Sequence, residues 1–68
     1  MKIKEWLQTR GSTAEWLASK VGITSDRMRS LVRGALHPRA AEIVLIYDIT
    51  DGDVRAEDWA NQAKEMVK

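Results

Sequence analysis

Three glycines divide the first half of the chain into short segments, and their spacing limits the fold more than any other sequence feature. Gly11, Gly22 and Gly34 each follow a segment in which apolar side chains recur at the spacing of an amphipathic helix. A glycine after such a segment is a typical helix stop, because it adopts the left-handed backbone conformation without steric cost. The pattern predicts three short helices, at about residues 2–10, 12–21 and 24–33.

Hydroxyl side chains mark the starts of the second and third helices. Residues 12–15 have the form of a capping box, in which the Ser12 oxygen accepts a hydrogen bond from a free amide and Glu15 reaches back to the helix start. Thr24 is a favourable N-cap for the third helix, and Ile23 places an apolar side chain in the turn before it. The two helices are therefore expected to follow each other after a sharp turn.

The composition excludes several function classes. The chain has 68 residues, no cysteine and one histidine, so it has no means of forming a disulfide and no donor set for a zinc site. We expect one domain, residues 1–68, with a small core, no cofactor and no catalytic cleft, and therefore no enzyme. No stretch approaches the roughly 20 apolar residues of a membrane span, and the amino terminus lacks the pattern of an export signal. A soluble, cytoplasmic protein is expected.

Charge is distributed unevenly along the chain. Residues 1–39 carry eight Lys and Arg against three Asp and Glu, a net charge of +5, whereas residues 40–68 carry three against seven, a net charge of −4. One end of such a molecule can bind a polyanion while the other end is repelled by it. Taken alone, the distribution fits DNA binding and a solvated surface equally well.

The apolar run in the second half of the chain fits two structures. As a helix that begins near Pro38 or Arg39, the run turns Leu45 away from the core and buries four other side chains. These four are Ala40, Ile43, Ile46 and Tyr47. As a strand, the run pairs in a hairpin with residues 53–59, and Asp51 and Gly52 form the turn. Residue spacing leaves both structures open.

An acidic pair predicts one further helix near the end of the chain. Glu57 and Asp58 favour a helix N-terminus because of the helix dipole. The apolar side chains that follow at helical spacing are Trp59, Ala63, Met66 and Val67. Together with Trp6 and Trp16, Trp59 is expected to fill much of the core.

Residues 12–33 combine a small residue, a turn and a set of buried positions. Ala18 is the small residue, Gly22 the turn glycine and Ile23 the turn hydrophobe, and the four other buried positions hold Leu17, Val21, Met28 and Leu31. This pattern resembles the helix-turn-helix of phage repressors. Residues 50–59 also resemble the tail of the all-helical Cro-like and YdaS-type regulators. The resemblance favours an all-α, five-helix domain, and the alternative is an α+β fold with three helices and a carboxyl-terminal β-hairpin.

The exposed side of the third helix holds the candidate DNA-reading residues. The side chains that point away from Met28 and Leu31 are Ser25, Asp26, Arg29, Ser30 and Arg33. Arg29 is the first choice for base recognition, because a guanidinium can donate two hydrogen bonds to guanine. Asp26 can accept from cytosine, orient an arginine or simply favour the positive end of the helix. The repressor family reads bases from this part of the helix, which implies contacts by Thr24, Ser25, Asp26, Arg29 and Ser30.

Other residues are candidates for phosphate contacts and for self-association. The phosphate candidates are Arg27, Arg33, His37 and Arg39, together with Ser12 and Thr13 at the start of the second helix. Val44 and Leu45 are candidates for a dimer interface. Two copies would place their recognition helices roughly 34 Å apart, in successive major grooves of a palindromic operator. We therefore expect a Cro-like phage or prophage repressor that binds double-stranded operator DNA as a homodimer, and the alternative is an antitoxin or adaptor whose main partner is a protein.

Overall fold

Five α-helices make up the chain in a computed structural model that describes residues 1–66. The helices are α1 (Ile3–Arg10), α2 (Ala14–Val21), α3 (Ser25–Arg33), α4 (Ala40–Ile49) and α5 (Ala56–Met66). The predicted all-α, five-helix fold is confirmed, and no strand occurs within the described residues. The hairpin alternative is wrong, because the apolar run folds as α4. No helix in this part of the chain is both long and apolar enough to cross a membrane.

The helix boundaries follow the capping chemistry, with one correction at α2. Gly11 and Gly34 cap α1 and α3 in the left-handed conformation, as the stop pattern predicts. Thr24 is the N-cap of α3, where its hydroxyl oxygen accepts from the Arg27 amide at 3.2 Å. The N-cap of α2 is Thr13 and not Ser12. Its oxygen accepts from the backbone amide of the third helical residue at 3.1 Å.

The core is one cluster of apolar side chains contributed by all five helices. Its fully buried members are Ile3, Trp6, Leu7, Leu17, Ala18, Met28, Leu31, Ile46, Val54 and Trp59. Val54 belongs to the connection between α4 and α5, which is therefore part of the core. The core packs against one side of α2 and α3, so the other side of α3 faces solvent.

The buried stripe of α4 differs from the predicted one. Ile46 is fully buried and Ile43 partly so, and Leu45 is exposed as expected, but Ala40 and Tyr47 are also exposed. The two polar residues Glu42 and Thr50 take the inward positions at the two ends of the stripe instead. With the part-buried Ile49, the inward positions are 42, 43, 46, 49 and 50, which follow the spacing of one helix face. The helical spacing is therefore confirmed for Ile43 and Ile46, and the prediction is wrong for Ala40 and Tyr47.

Thr50 and Asp58 fix the connection from α4 to α5. The buried Thr50 hydroxyl donates to the Ile46 carbonyl at 2.7 Å, and its oxygen accepts from the Val54 amide at 3.2 Å. At the start of α5, Asp58 Oδ2 accepts from the Arg55 amide at 2.8 Å. Trp59 follows in the core, and the predicted fifth helix is confirmed as α5. Of the other apolar positions predicted for α5, Ala63 is exposed, and the Met66 side chain and Val67 lie outside the described residues.

Trp16 lies outside the core, contrary to the prediction. Its side chain is 41% exposed, whereas Trp6 and Trp59 are buried. The Trp16 ring stacks on Trp6, with 6.3 Å between ring centroids, and Lys20 lies over its ring at 5.8 Å. The indole therefore covers the outer surface of the cluster and does not fill its interior.

Candidate nucleic-acid interface

The chain from α2 to α3 forms a tight helix-turn-helix unit. The turn is residues 22–24, and its first residue, Gly22, has a φ of 87° that other residues rarely adopt. The amides of Gly22 and Ile23 both donate to the Ala18 carbonyl, at 2.8 and 3.1 Å. Ala18 is buried between the helices, where a larger side chain would push them apart. The small residue, the turn glycine and the turn hydrophobe thus lie together, as the sequence predicts.

The buried positions of the unit hold α3 against the core. Leu17, Met28 and Leu31 are fully buried, while Val21 and Ile23 are half-buried. Because Met28 and Leu31 occupy the inward side of α3, the opposite side of the helix faces solvent. The exposed surface of α3 is therefore made of polar and charged side chains.

The predicted base-contacting residues lie together on this solvent-facing surface. Asp26 has 91% of its side chain accessible, and Arg29 lies one turn further along the helix. Ser25 and Ser30 are half-buried, beside Asp26 and Arg29 respectively. Thr24 is at the edge of the surface, and its hydroxyl oxygen already caps α3. The structure brings all five residues into one short stretch of surface.

Arg29 is held by two carboxylates that come from different helices. Its Nη1 donates to Glu15 of α2, and its Nη2 donates to Asp26 of α3. The hydrogen bonds with Asp26 and then Glu15 raise the pKa of Arg29. The pKa of Glu15 is lowered, first by a backbone hydrogen bond and then by the Arg29 guanidinium. Glu15 is consequently an ion-pair partner across the two helices and not the capping-box residue that its position predicts.

Arg27 of α3 is also paired with a carboxylate, and in this pair the carboxylate is buried. Its Nε and Nη2 donate to the two carboxylate oxygens of Glu42 on α4, at 2.7 and 2.8 Å. Glu42 is only 5% exposed and also accepts from the Arg39 amide at 2.7 Å. The Arg27 hydrogen bonds, followed by the one from Arg39, lower the pKa of Glu42 to about 2. A phosphate contact by Arg27 would have to compete with this pair.

Sequence reasoning missed Glu42 as a structural anchor. Its position three residues after the N-cap Arg39 is where a helix commonly places a glutamate that accepts from the N-cap amide. That spacing was the available signal for the Arg39 contact. Nothing in the spacing signals the Arg27 contact, which depends on how α3 and α4 pack.

The remaining phosphate candidates lie at two places around the exposed surface of α3. Arg33, His37 and Arg39 are exposed at the end of α3 and in the following loop. Within residues 1–66, Arg33 and Arg39 have no carboxylate within ion-pairing distance of their guanidinium groups. At the other place, Ser12 and Thr13 precede α2, and the Thr13 hydroxyl is used as the helix cap.

Apolar side chains are exposed on α4. Val44 is 59% exposed, and Leu45 and Tyr47 are also accessible. The two predicted dimer-interface residues are thus on the surface, where a second molecule can reach them. Among the described residues, no group of three or more histidine, aspartate or glutamate side chains is placed to hold a metal ion.

Comparison with known proteins adds no relative. No family model, curated protein or solved structure matches this chain. The interpretation of the α2–α3 unit therefore depends on its residues and geometry.

Proposed function

We propose that this protein is a sequence-specific DNA-binding repressor of the Cro type, and that α3 enters the major groove of its operator. The observation that carries the proposal is the α2–α3 unit, in which a buried Ala18 and a left-handed Gly22 set a tight turn before an exposed polar helix. An α-helix fits the major groove, where each base pair has its own pattern of donors and acceptors.

The support of α3 favours a role in recognition. The helix is tied to α4 by the Arg27–Glu42 pair, and to α5 by the Gln62 side chain, which donates to the Leu31 carbonyl at 2.8 Å. Its N-terminus is capped by Thr24. A helix fixed at both ends presents its side chains with little loss of conformational entropy on binding.

The residues divide into those that read bases and those that position the protein. Arg29 is assigned to a guanine, and Thr24, Ser25, Asp26 and Ser30 lie close enough along the helix to contact neighbouring bases. Arg33, His37 and Arg39 are assigned to phosphates on one side, and Ser12 and Thr13 to phosphates on the other. Arg27 is the least suited of the proposed phosphate ligands, since Glu42 already neutralises it.

A homodimer would increase both affinity and specificity for an operator. Val44 and Leu45 expose apolar surface on α4, and burial of such surface by a second copy is favourable. Two linked recognition helices would read two half-sites separated by one turn of DNA, and the bound dimer would block transcription sterically. The proposed place of action is the cytoplasm of a bacterial host.

Selection from a randomised duplex pool tests the proposal. The purified protein, an Arg29→Ala variant and an Arg55→Ala control are each incubated with the pool, and the bound sequences are read. The control removes the same charge from the residue that precedes α5, outside the α2–α3 unit. The proposal expects a palindromic site for the wild type and the control, and loss of preference at one base position per half-site for Arg29→Ala. Absence of any enriched sequence for the wild type would overturn it.

A protein partner is the second candidate function, and the exposed Val44, Leu45 and Tyr47 of α4 favour it. An antitoxin or adaptor would bury this face against a different protein. The discriminating observation is a complex with such a partner that does not bind DNA.

A further inference from the structure

The Glu15–Arg29–Asp26 cluster has an unusual charge for the centre of a DNA-binding surface. One guanidinium is flanked by two carboxylates, one bonded to each of its terminal nitrogens, so the cluster carries a net charge of −1. A phosphate group is repelled by such a cluster, and the two ion pairs already use part of the hydrogen-bonding capacity of the guanidinium. Arg29 is therefore poorly suited to sequence-independent contacts with the DNA backbone.

The same cluster is well suited to one base pair. In the major groove, guanine presents two acceptors, N7 and O6, and its paired cytosine presents the N4 amino donor next to them. An arginine beside a carboxylate presents the complementary order, two donors and then an acceptor. Arg29 and Asp26 have this arrangement, since Asp26 lies next to the guanidinium and is the most exposed side chain of the cluster.

We propose that Arg29 and Asp26 together read a G·C base pair in each half-site, and that Glu15 is a positioning residue that holds Arg29 for this contact. The inference rests on the proposed function. Arg29 donates to guanine O6 and N7, and Asp26 accepts from cytosine N4. Glu15 remains on the α2 side of the guanidinium and contacts no base.

The position of Glu15 explains why two carboxylates are present. Its side chain belongs to α2, is 53% exposed and accepts from Nη1 of Arg29, whereas Asp26 of α3 accepts from Nη2. An isolated arginine on a surface helix samples many rotamers and can reach a phosphate on either strand. Two partners on different helices restrict it to one place. Glu15 and Asp26 thus suppress non-specific binding more than operator binding.

The test compares three variants on the selected operator and on an unrelated duplex. The variants are Asp26→Asn, Glu15→Gln and the control Glu57→Gln, which removes a carboxylate of α5. For each protein, affinity is measured for the operator, for the same operator with A·T in place of the G·C pair, and for the unrelated duplex at several salt concentrations. Circular dichroism confirms that each variant is folded.

The expected results differ for the two carboxylates. The wild type prefers the G·C operator over the A·T operator by about 5- to 150-fold, the usual range for one well-made base contact. Asp26→Asn reduces this preference by about fivefold or more. Glu15→Gln binds the unrelated duplex more tightly and steepens its dependence on salt by about one phosphate contact, a change of about 0.9 in the logarithmic slope. Glu57→Gln changes neither quantity.

Two outcomes overturn the inference, and they are distinguishable. If an operator is enriched but Arg29 reads an A·T pair, or if Asp26→Asn and Glu15→Gln behave like Glu57→Gln, the inference is wrong and the proposed function stands. If the wild type enriches no operator, the proposed function and the inference are both overturned.

Discussion

Arg27 of α3 and Glu42 of α4 are joined by two parallel hydrogen bonds, at 2.7 and 2.8 Å, and Glu42 also accepts from the backbone amide at the start of its own helix. This pair connects the proposed recognition helix to the rest of the core. Because Glu42 is almost fully buried, its charge depends on these three donors in place of water.

Loss of the Glu42 charge is expected to destabilise the fold strongly. Glu42→Gln leaves Arg27 without its counter-charge, although Arg27 keeps 24% of its side chain accessible to water. We expect the free energy of unfolding to fall by about 2–4 kcal/mol, measured by chemical denaturation. Glu57→Gln, which breaks the exposed pair with Arg55, is the matched control and should cost less than about 1 kcal/mol. Equal effects of the two substitutions would show that the buried pair contributes no more than a surface pair.

The lowered pKa of Glu42 makes the stability of the fold depend on pH. Folding lowers the pKa of Glu42 from an ordinary 4.5 to about 2, so its contribution is fully present above about pH 4.5 and is lost as pH falls toward 2. The wild type should therefore lose more stability than Glu42→Gln between pH 5 and pH 2. Unfolding curves of both proteins across this range measure the difference. A constant difference would contradict the lowered pKa.

Thr50 is predicted to stabilise the α4–α5 connection through its hydroxyl group. Thr50→Val keeps the shape of the side chain but leaves the buried Val54 amide without an acceptor, at a cost of about 1–3 kcal/mol. Thr50→Ser keeps both hydrogen bonds and loses one methyl group, so its cost should be smaller than that of Thr50→Val. Thermal unfolding of the two variants gives the order, and the reverse order would assign the stabilisation to the methyl group.

Trp16 and Trp59 are predicted to contribute unequally to the stability of the fold. Trp16→Ala removes a half-exposed ring and should cost about 1 kcal/mol, whereas Trp59→Ala removes a buried ring and should cost about 3–5 kcal/mol. Iodide quenching of fluorescence gives a second measurement that does not require large destabilisation. Trp16→Phe should abolish most of the quenchable emission, and Trp59→Phe should leave it. Retention of the quenchable emission in Trp16→Phe would place the accessible ring elsewhere.

Local chemistry was sufficient to predict the first three helices. Gly11, Gly22 and Gly34 each end a helix where the pattern predicts, and Thr24 caps α3 as expected. Helix ends and caps depend on residues close in sequence, so a few neighbouring residues are enough to predict them. The wrong assignment of the α2 N-cap to Ser12 also has a local cause. Two adjacent hydroxyl residues can each serve as an N-cap, and the sequence does not distinguish them.

The rest of the fold depends on contacts between residues far apart in the chain. α4 could be predicted only as one of two alternatives, because its apolar run suits a buried strand as well as a buried helix. The inward position of Glu42 depends on Arg27, fifteen residues earlier. The same applies to the candidate site. The polar surface of α3 could be predicted from the helical spacing, but the hydrogen bond that Arg29 donates to Glu15 depends on the relative placement of two helices.

An NMR titration of isotope-labelled protein with the selected operator duplex locates the DNA-binding surface residue by residue. We expect the amide signals of residues 24–33 and those at the start of α2 to shift most. We also expect the signals of α5 to stay nearly unchanged, and Arg29→Ala to reduce the shifts on α3. Shifts that are concentrated on α4 or α5, with those of residues 24–33 unaffected, would contradict the claim that α3 is the helix that binds DNA.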